Sequence, residues 1–217
     1  MLRTRLRLLR LRSERGAVMV ELAIVAPLIV MLAMGIFEFG VAYRSDLSVG
    51  NAGRSGARIG SNAATHNLAD HAILSGLGSA MSDLDLDKVN MVVVYRADDA
   101  DGEVPPGCIT SSALSAGGSN ADNCNTYDKN DLMNVVNDPV GSQSSFDDPN
   151  CVGDKDAFWC SATERENSQG APGGPDYLGV YISYDHDLVT GLFGATFTIT
   201  DHTVMRLEPE ESIVGNG

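Results

Sequence analysis

Residues 17–37 read AVMVELAIVAPLIVMLAMGIF, a stretch that decides the fold because Glu21 is its only charged residue. As an α-helix these residues would be about 31 Å long, close to the hydrocarbon thickness of a bilayer. We therefore interpret residues 17–43 as a transmembrane helix. The alternative is a buried core helix, which we disfavour because a chain of 217 residues rarely encloses a helix so long and so apolar.

Charge is distributed unevenly on the two sides of this apolar stretch. Residues 1–15 hold six arginines and one glutamate, whereas the rest of the chain holds nine basic and 28 acidic residues. This asymmetry predicts a basic cytoplasmic leader over residues 1–16 and a C-terminal domain outside the cell (inner) membrane, which the chain crosses once. Membrane lipid is thus an expected partner. Nucleic acid is not, because an acidic domain lacks the clustered cations that bind phosphates.

A cleaved secretory signal peptide is a second explanation of the amino terminus. Ala33-Met34-Gly35 resembles a small-residue cleavage site. The apolar core before this site is longer than the usual 7–15 residues, and it contains the ionisable Glu21. We therefore favour a retained membrane anchor over a signal peptide.

All four cysteines follow the apolar stretch, as expected for an exported domain. None of them forms a C-x-x-C motif, so the sequence offers little support for zinc or thioredoxin-like redox chemistry. An even number suggests two disulfides, for which three connectivities are possible. We favour pairing between neighbours, Cys108 with Cys124 and Cys151 with Cys160, which closes short loops. Four unpaired thiols are the alternative.

The predicted fold class is α+β, with a long N-terminal membrane-spanning helix followed by a small antiparallel sheet domain. Residues 44–97 are interpreted as a helical extension, a short helix over Leu68–Met81 and a first strand over Lys88–Arg96. Residues 98–176 are rich in Gly, Pro, Asn and Asp, and we expect a long, irregular, disulfide-tied insertion at the surface. Residues 177–217 provide two alternating strands, Tyr177–Asp185 and Ala195–Leu207, and the C-terminal tail.

Small residues recur at helical spacing in the helical extension, at Gly53, Gly56, Ala57 and Gly60. Each glycine lowers the stability of a helix by about 1 kcal/mol relative to alanine. The pattern therefore predicts that another element packs closely on this face. Arg54 and Arg58 lie on a neighbouring face. We expect them to be solvated or paired with carboxylates of the domain.

The junction between leader and apolar stretch reads ERGAVMVE, with Gly16 closing the basic leader. It resembles the prepilin-peptidase signature of type IV pilin-like proteins, in which the leader is removed after glycine. Such a cut would lie between Gly16 and Ala17 and would free an α-amino group about one turn from Glu21. An anion there is favoured by the helix dipole, and the amine of a neighbouring subunit would be its natural partner. Many type IV pilins have Phe where this chain has Ala17.

The resemblance extends through residues 14–60, which are similar to the TadE-like family of tight-adherence (Tad) pilus systems. That family shows a G-x-x-x-x-E opening, a proline within the span, E-F-G-x-x-Y at its end and then N-A-x-R-x-G-A-R. The matching residues here are Gly16, Glu21, Pro27, Glu38, Gly40, Tyr43, Asn51, Ala52, Arg54, Gly56, Ala57 and Arg58. We expect the following residues of this region to serve helix packing: Pro27, Glu38, Gly53, Arg54, Gly56, Ala57 and Arg58.

This resemblance implies a pilin-like fold and a pseudopilin that assists assembly of Flp/Tad-type adhesive pili. It implies three kinds of partner: a prepilin peptidase, other pilin-like subunits and membrane components of the Tad secretion system. It implies no enzyme activity, and we expect no cofactor, catalytic residue or metal site. The four histidines are scattered along the chain and are expected to be exposed. The alternative function is a membrane-anchored extracytoplasmic binding or adhesion domain with no role in a pilus.

Overall fold

The computed structural model describes residues 2–191 and 194–209, with side chains from residue 16 onward. Its internal contacts divide the chain into two compact units. We call Met1–Tyr43 with Leu188–Ala195 the helical unit, and Arg44–Asp187 with Thr196–Gly217 the sheet unit. Each unit has its own contacts and is described separately below.

A single helix, α1, extends over Leu2–Ala63 and contains Pro27. The helix runs without interruption past Tyr43, as the absence of any other proline in this stretch predicts. It ends where Ala64 adopts a left-handed conformation with φ of 45°. The long N-terminal helix predicted from the sequence is therefore confirmed.

The sheet unit contains an antiparallel sheet of five strands in the order β2-β3-β1-β4-β5. β1 lies at the centre, with Val92 opposite Tyr127 of β3 on one side and Val93 opposite Tyr181 of β4 on the other. β4 and β5 form a long hairpin. The strands are β1 (Val89–Ala97), β2 (Gly118–Ser119), β3 (Cys124–Tyr127), β4 (Tyr177–Asp187) and β5 (Thr196–Arg206).

Among its described residues, the sheet unit is completed by four short α-helices. The first of them, α2, agrees with the helix predicted over residues 68–81. Three 3-10 helices lie in the connections, at Leu86–Lys88, Pro106–Ile109 and Gly141–Ser145. The α-helices are α2 (Ala69–Ala80), α3 (Ser111–Ala116), α4 (Lys129–Asn137) and α5 (Ser161–Glu164).

Both faces of the central strand are buried, which explains its unbroken apolar sequence. Val92 and Val94 belong to a large core shared by α1, α2, β1 and β4. Because side chains alternate along a strand, Val93 and Tyr95 lie on the opposite face, in a smaller core with Cys108 and Cys124. The predicted α+β class and the three predicted strands are confirmed.

Residues 98–176 correct one expectation, because this segment is not a purely surface insertion. It supplies β2, β3, α3, α4 and α5. Four of its side chains are fully buried in the large core: Tyr127, Leu132, Phe146 and Trp159. This role could not be predicted from the sequence, because β3 is short and polar and reads Cys-Asn-Thr-Tyr. Its polar side chains are buried and form hydrogen bonds instead of facing solvent.

Two disulfides tie this segment together, with the neighbour pairings favoured from the sequence. Cys108–Cys124 joins the 3-10 helix Pro106–Ile109 to β3. Cys151–Cys160 closes a loop with a sequence separation of nine residues. All four sulfurs are paired, so no free thiol is left among the cysteines.

Gly179 is required by a close contact inside the sheet. It lies opposite Tyr95 in the β1–β4 register, and a Cβ atom built on Gly179 would overlap the Tyr95 ring. The ring is fully buried, and its hydroxyl donates a hydrogen bond of 3.0 Å to the Gly102 carbonyl. It therefore has no free space into which to move.

We expect Gly179→Ala to lower the free energy of unfolding by about 1–3 kcal/mol, because an added methyl group overpacks this contact. The measurement is urea unfolding of the full chain in detergent, followed by the fluorescence of the buried Trp159. Gly50→Ala is the matched control, since a Cβ there meets its nearest atoms at an ordinary 3.8 Å. Equal unfolding midpoints for the two variants would contradict the prediction.

Candidate functional site: the amino-terminal helix

The surface of α1 between residues 17 and 37 is apolar and exposed. Within the described part of the chain, one helix is long and apolar enough to cross a membrane, and none of its most apolar 18-residue window is buried. The window therefore does not behave as a core helix of a folded domain. α1 is a candidate membrane anchor. Its most exposed large side chains include Met19 at 74%, Leu32 at 68% and Ile36 at 75%.

The predicted cleavage position, Gly16–Ala17, lies within the continuous helix α1. Both residues are exposed, and no atom lies within 4 Å of a Cβ built on Gly16. A peptidase must unwind a helix locally to bind the scissile bond in an extended form. Glycine makes this easier, because it destabilises the middle of a helix by about 0.5–1 kcal/mol relative to alanine.

Glu21 lies four residues after Ala17, about 6 Å along the helix axis. Its side chain is exposed among apolar neighbours. Among the side chains that the structure describes, none forms an ion pair with the Glu21 carboxylate. A carboxylate inside hydrocarbon costs about 2.5–3.5 kcal/mol, which a cationic partner would offset.

Glu38 behaves differently from Glu21, although both lie on α1. Its side chain is only 2% exposed. Within the helical unit, the backbone N–H of Thr190 donates to its two carboxylate oxygens at 3.0 and 3.3 Å. Glu38 was predicted as a packing residue. The structure places it against Thr190, a contact that sequence spacing could not indicate.

The small residues of the helical extension pack closely within the sheet unit. A Cβ on Gly56 would lie 2.8 Å from a methyl of Leu77, and one on Gly60 would lie 2.7 Å from a methyl of Ile73. Both partners belong to α2. Ala57 is fully buried in the large core. This face of α1 is therefore occupied by the chain's own α2.

Gly53 faces the sheet, where a Cβ would meet the carboxylate of Asp201 at 3.0 Å. The two arginines beside it are exposed. Arg54 donates a hydrogen bond of 3.3 Å to the Asn51 side chain, one turn earlier on the same helix. The expectation that Arg54 and Arg58 lie on a face next to the packed one agrees with these positions.

The histidines were expected to be exposed, and for two of them this was wrong. His66 and His202 are exposed, but His71 and His186 are buried. His71 Nε2 lies 3.0 Å from the Ser142 hydroxyl, and burial lowers the pKa of His71. Both buried histidines sit on apolar faces of α2 and β4, where tertiary packing rather than local sequence decides exposure.

His186 and Ser45 form a buried pair, with the Ser45 hydroxyl 3.1 Å from His186 Nδ1. A nucleophile–base set also needs an acceptor that orients the second ring nitrogen. Here His186 Nε2 is buried without a hydrogen-bond partner among the described residues. The pair therefore lacks the third member of a catalytic triad and connects α1 to β4.

A buried polar cluster is the feature that the sequence analysis missed. Asp70 of α2 pairs with Arg165, and both side chains are fully buried. The Asp70 carboxylate also accepts hydrogen bonds from the Tyr127 hydroxyl at 2.6 Å and from the Asn125 amide at 2.8 Å. The only available signal was a charged residue on the apolar face of the predicted second helix.

A second carboxylate, Asp156, belongs to the same cluster. Burial, together with the negative charge of Asp70 and against the opposing effect of Arg165, raises the pKa of Asp156 to about 7. One arginine thus faces two carboxylates, and a proton on Asp156 relieves the excess negative charge. The cluster is shut off from solvent, and within the described residues no group of three His, Cys, Asp or Glu is arranged to hold a metal ion.

We expect Asp156→Asn to stabilise the protein more at pH 8 than at pH 5. The pKa of Asp156 is higher in the folded state than the 3.8 of an ordinary aspartate. The contribution of Asp156 to the free energy of unfolding is therefore complete below pH 3.8 and is lost as pH rises through about 7. Asparagine does not titrate, so the variant does not lose stability in this way. The measurement is the difference in unfolding midpoint between variant and native chain at each pH. Asp101→Asn, at an exposed turn, is the control, and a difference that does not grow with pH would contradict the prediction.

Comparison with known proteins bears on the same segment of α1. No curated protein and no solved structure gives a significant match to the chain. A family description does match: residues 16–58 fit the TadE-like protein family. The matched residues begin at Gly16, contain the exposed apolar stretch and end at Arg58, beside the face that packs on α2. Residues 16–58 are thus similar to the TadE-like family, as the sequence motifs predicted.

Proposed function

We propose that this protein is a membrane-anchored, pseudopilin-like component that assists assembly of Flp/Tad-type pili. One observation carries the proposal: the TadE-like match begins at Gly16, where the basic leader ends and the exposed apolar helix begins. The match to the TadE-like family alone supports an association with a Tad pilus system. Processing, partners and the role in assembly are part of the proposal.

The proposed topology follows from charge and exposure together. Residues 17–37 cross the inner membrane, the arginine-rich leader stays in the cytoplasm and the sheet unit lies outside. Two disulfides in the sheet unit support an oxidising compartment for it. Within the described residues one helix serves as the anchor, which we propose contacts other subunits.

The proposed processing step is hydrolysis of the Gly16–Ala17 bond by a prepilin peptidase. The cut removes the arginines and leaves a free α-amino group, with a pKa near 8, at the start of the apolar helix. This changes the amino terminus from a cytoplasmic anchor to a single positive charge. Such a helix can shift along the membrane normal when subunits assemble, because it no longer carries six arginines.

The proposed role of Glu21 is to pair with the amino terminus of a neighbouring subunit. Its carboxylate is exposed on an apolar surface and has no partner among the described side chains. In a medium of low dielectric constant, an unpaired charge is costly and a paired one fixes the register of two helices. No catalytic role is proposed, since the buried Ser45–His186 pair and the Asp70 cluster serve the packing of the sheet unit.

We expect the mature protein to begin at Ala17 when the full chain is produced together with a prepilin peptidase. Gly16→Val should abolish processing, because a branched side chain at the scissile bond obstructs the extended form that a protease binds. The measurement is N-terminal sequencing of the membrane-bound protein. Gly40→Val is the matched control, as Gly40 is likewise helical with open space around a Cβ. A mature protein beginning at Ile36 would show signal-peptidase release and overturn the proposal.

We expect Glu21→Gln and Glu21→Ala to be processed normally but to assemble poorly with pilin-like subunits. Both variants lose the charge that pairs with the free amine of Ala17. The measurement is co-purification of partner subunits from solubilised membranes, together with the amount of surface pili. Glu21→Asp, which keeps the charge, is the control and should retain most assembly. Normal assembly of the Gln and Ala variants would mean that Glu21 is solvated near the headgroups.

A further inference from the structure

We propose that Arg54 and Arg58 of α1 bind an acidic turn on a second copy of this chain, so that the sheet units of neighbouring copies associate side by side. We call Arg54 and Arg58 the arginine pair, and residues 98–103 the acidic turn. The inference rests on the proposed anchoring of the chain in a membrane, and it identifies a surface through which the anchored copies assemble.

The chain itself does not neutralise the arginine pair. Nine basic residues follow the leader, and six of them form ion pairs with carboxylates of the sheet unit. A seventh, Arg206, lies over the Tyr177 ring and donates to two backbone carbonyl groups. Among the described residues, Arg54 and Arg58 are the two cations that remain, and neither of them forms an ion pair. They are therefore available to carboxylates of another molecule.

The arginine pair presents two guanidinium groups on one side of the helix. Both side chains are exposed, and residues four apart in a helix have Cβ atoms about 5–6 Å apart. Burial raises the pKa of the half-buried Asp201, and the positive charge of Arg54 opposes this rise without forming an ion pair. A guanidinium group binds a carboxylate through two parallel hydrogen bonds. The arginine pair thus fits a surface with several closely spaced carboxylates.

The acidic turn is such a surface. Residues 98–103 read DDADGE, which places four carboxylates in six residues. All four side chains are exposed, and among the described residues none of them forms an ion pair. The turn has a defined position, because the Tyr95 hydroxyl donates to the Gly102 carbonyl at 3.0 Å. A second copy of the chain therefore supplies the carboxylates that the arginine pair lacks.

The arginine pair and the acidic turn lie on opposite faces of the sheet. α1 packs on the face of Val92 and Val94, where Ala57 belongs to the large core. The acidic turn lies on the other face, since its Gly102 carbonyl accepts a hydrogen bond from Tyr95 of the smaller core. One chain does not bring the two surfaces together, so a contact between them joins two copies.

A row of paired residues places the acidic turn level with the end of α1. The Ser61 hydroxyl of α1 donates to the Arg206 carbonyl of β5 at 2.6 Å. Arg206 lies opposite Tyr177 of β4, and Tyr177 lies opposite Ala97 of β1. The acidic turn begins at the next residue. It therefore lies at the level of Ser61, on the far side of three strands.

The arginine pair lies close to the same level, because this part of α1 runs nearly parallel to β5. A Cβ on Gly53 would lie 3.4 Å from the Thr203 hydroxyl, and Ser61 bonds to Arg206. The two contacts are separated by about 12 Å of helix and by about 10 Å of strand. Arg58 precedes Ser61 by about 4.5 Å along the helix axis. Copies that stand side by side with parallel α1 helices thus bring the two surfaces into contact.

The proposed contact is asymmetric, because it joins two different surfaces. Each copy uses its arginine pair toward one neighbour and keeps its acidic turn for another. Such a heterologous contact adds copies in one direction and forms a ring or an open array.

Electrostatic forces both oppose and favour this contact. The net charge of −14 repels a second copy, but screening limits this repulsion to a range of about 8 Å at physiological ionic strength. Guanidinium and carboxylate groups in direct contact act within that range. An exposed ion pair contributes little by itself. Copies held in one membrane have a high effective concentration, so a few such pairs are sufficient for association.

The test measures energy transfer between copies of the full chain in phosphatidylcholine vesicles at physiological ionic strength. A donor or an acceptor dye is attached enzymatically at the carboxyl terminus, so that the four cysteines stay paired. The native chain should show energy transfer above the level of copies distributed at random. Arg54→Glu with Arg58→Glu should abolish this excess, and Asp98→Arg with Asp101→Arg should do the same.

A mixture of the two double variants separates loss of the contact from loss of folding. The glutamates of one variant then face the arginines of the other, so energy transfer between a donor on the first and an acceptor on the second should return. A variant that fails to fold cannot be rescued in this way. Absence of recovery would overturn the inference.

Lys129→Glu with Lys155→Glu is the matched control, because it changes the net charge by the same amount. Both side chains are about half exposed, at 43% and 51%, and lie outside the two proposed surfaces. This variant should keep the energy transfer of the native chain. An equal loss would show that general repulsion controls association, and it would overturn the inference.

The remaining outcomes separate this inference from the proposed function. Energy transfer that persists in both double variants would place the contact between copies elsewhere and refute the arginine pair as its site. A native chain that floats with vesicles but shows no excess energy transfer would refute this inference alone. A native chain that does not float would refute the membrane anchor, and with it the proposed function.

Discussion

The sheet unit depends on one buried ionic interaction, the pair between Asp70 of α2 and Arg165 after α5. Asp70 also accepts hydrogen bonds from Tyr127 and Asn125. Asn125 in turn accepts the backbone N–H groups of Phe158 and Trp159, at 3.0 and 2.9 Å. One carboxylate thus connects a helix, a strand and the residues on either side of Cys160. Removing one partner of such a pair costs about 3–5 kcal/mol, because the other charge stays buried.

The long helix α1 meets two different requirements along its length. Between residues 17 and 37 its surface is bulky, apolar and exposed, as a bilayer requires. Between Gly50 and Gly60 it is small and buried, because α2 and the sheet approach its backbone closely. The TadE-like match covers both parts. This supports a protein in which a candidate anchor and domain packing are built into one continuous helix.

Local sequence was sufficient to predict a helix or a strand wherever its residues formed one strong apolar pattern. The apolar run of residues 17–37, the alternation of β4 and β5 and the unbroken β1 correctly predicted the helix, three strands and the α+β class. The short cysteine spacings favoured the two disulfides that the structure contains. Each of these features is determined by residues that are close in the sequence, so it can be predicted without knowledge of the tertiary contacts. The proposed cleavage and pairing sites, Gly16 and Glu21, come from the same kind of local pattern.

Only the tertiary structure decided the features that depend on distant partners. Residues 98–176 have the composition of a loop, yet β3 enters the sheet because Asn125 and Thr126 find hydrogen bonds 18–55 residues away. His71 and His186 are buried, and Glu38 accepts a hydrogen bond from Thr190. These contacts involve residues that are distant in the sequence, so no local pattern predicts them. A polar residue is stable inside a protein when its partners are in place, and sequence spacing does not show where those partners lie. The sequence by itself therefore determined the candidate anchor helix, α2 and the three long strands. Packing across the chain determined the elements of residues 98–176 and which polar groups became internal.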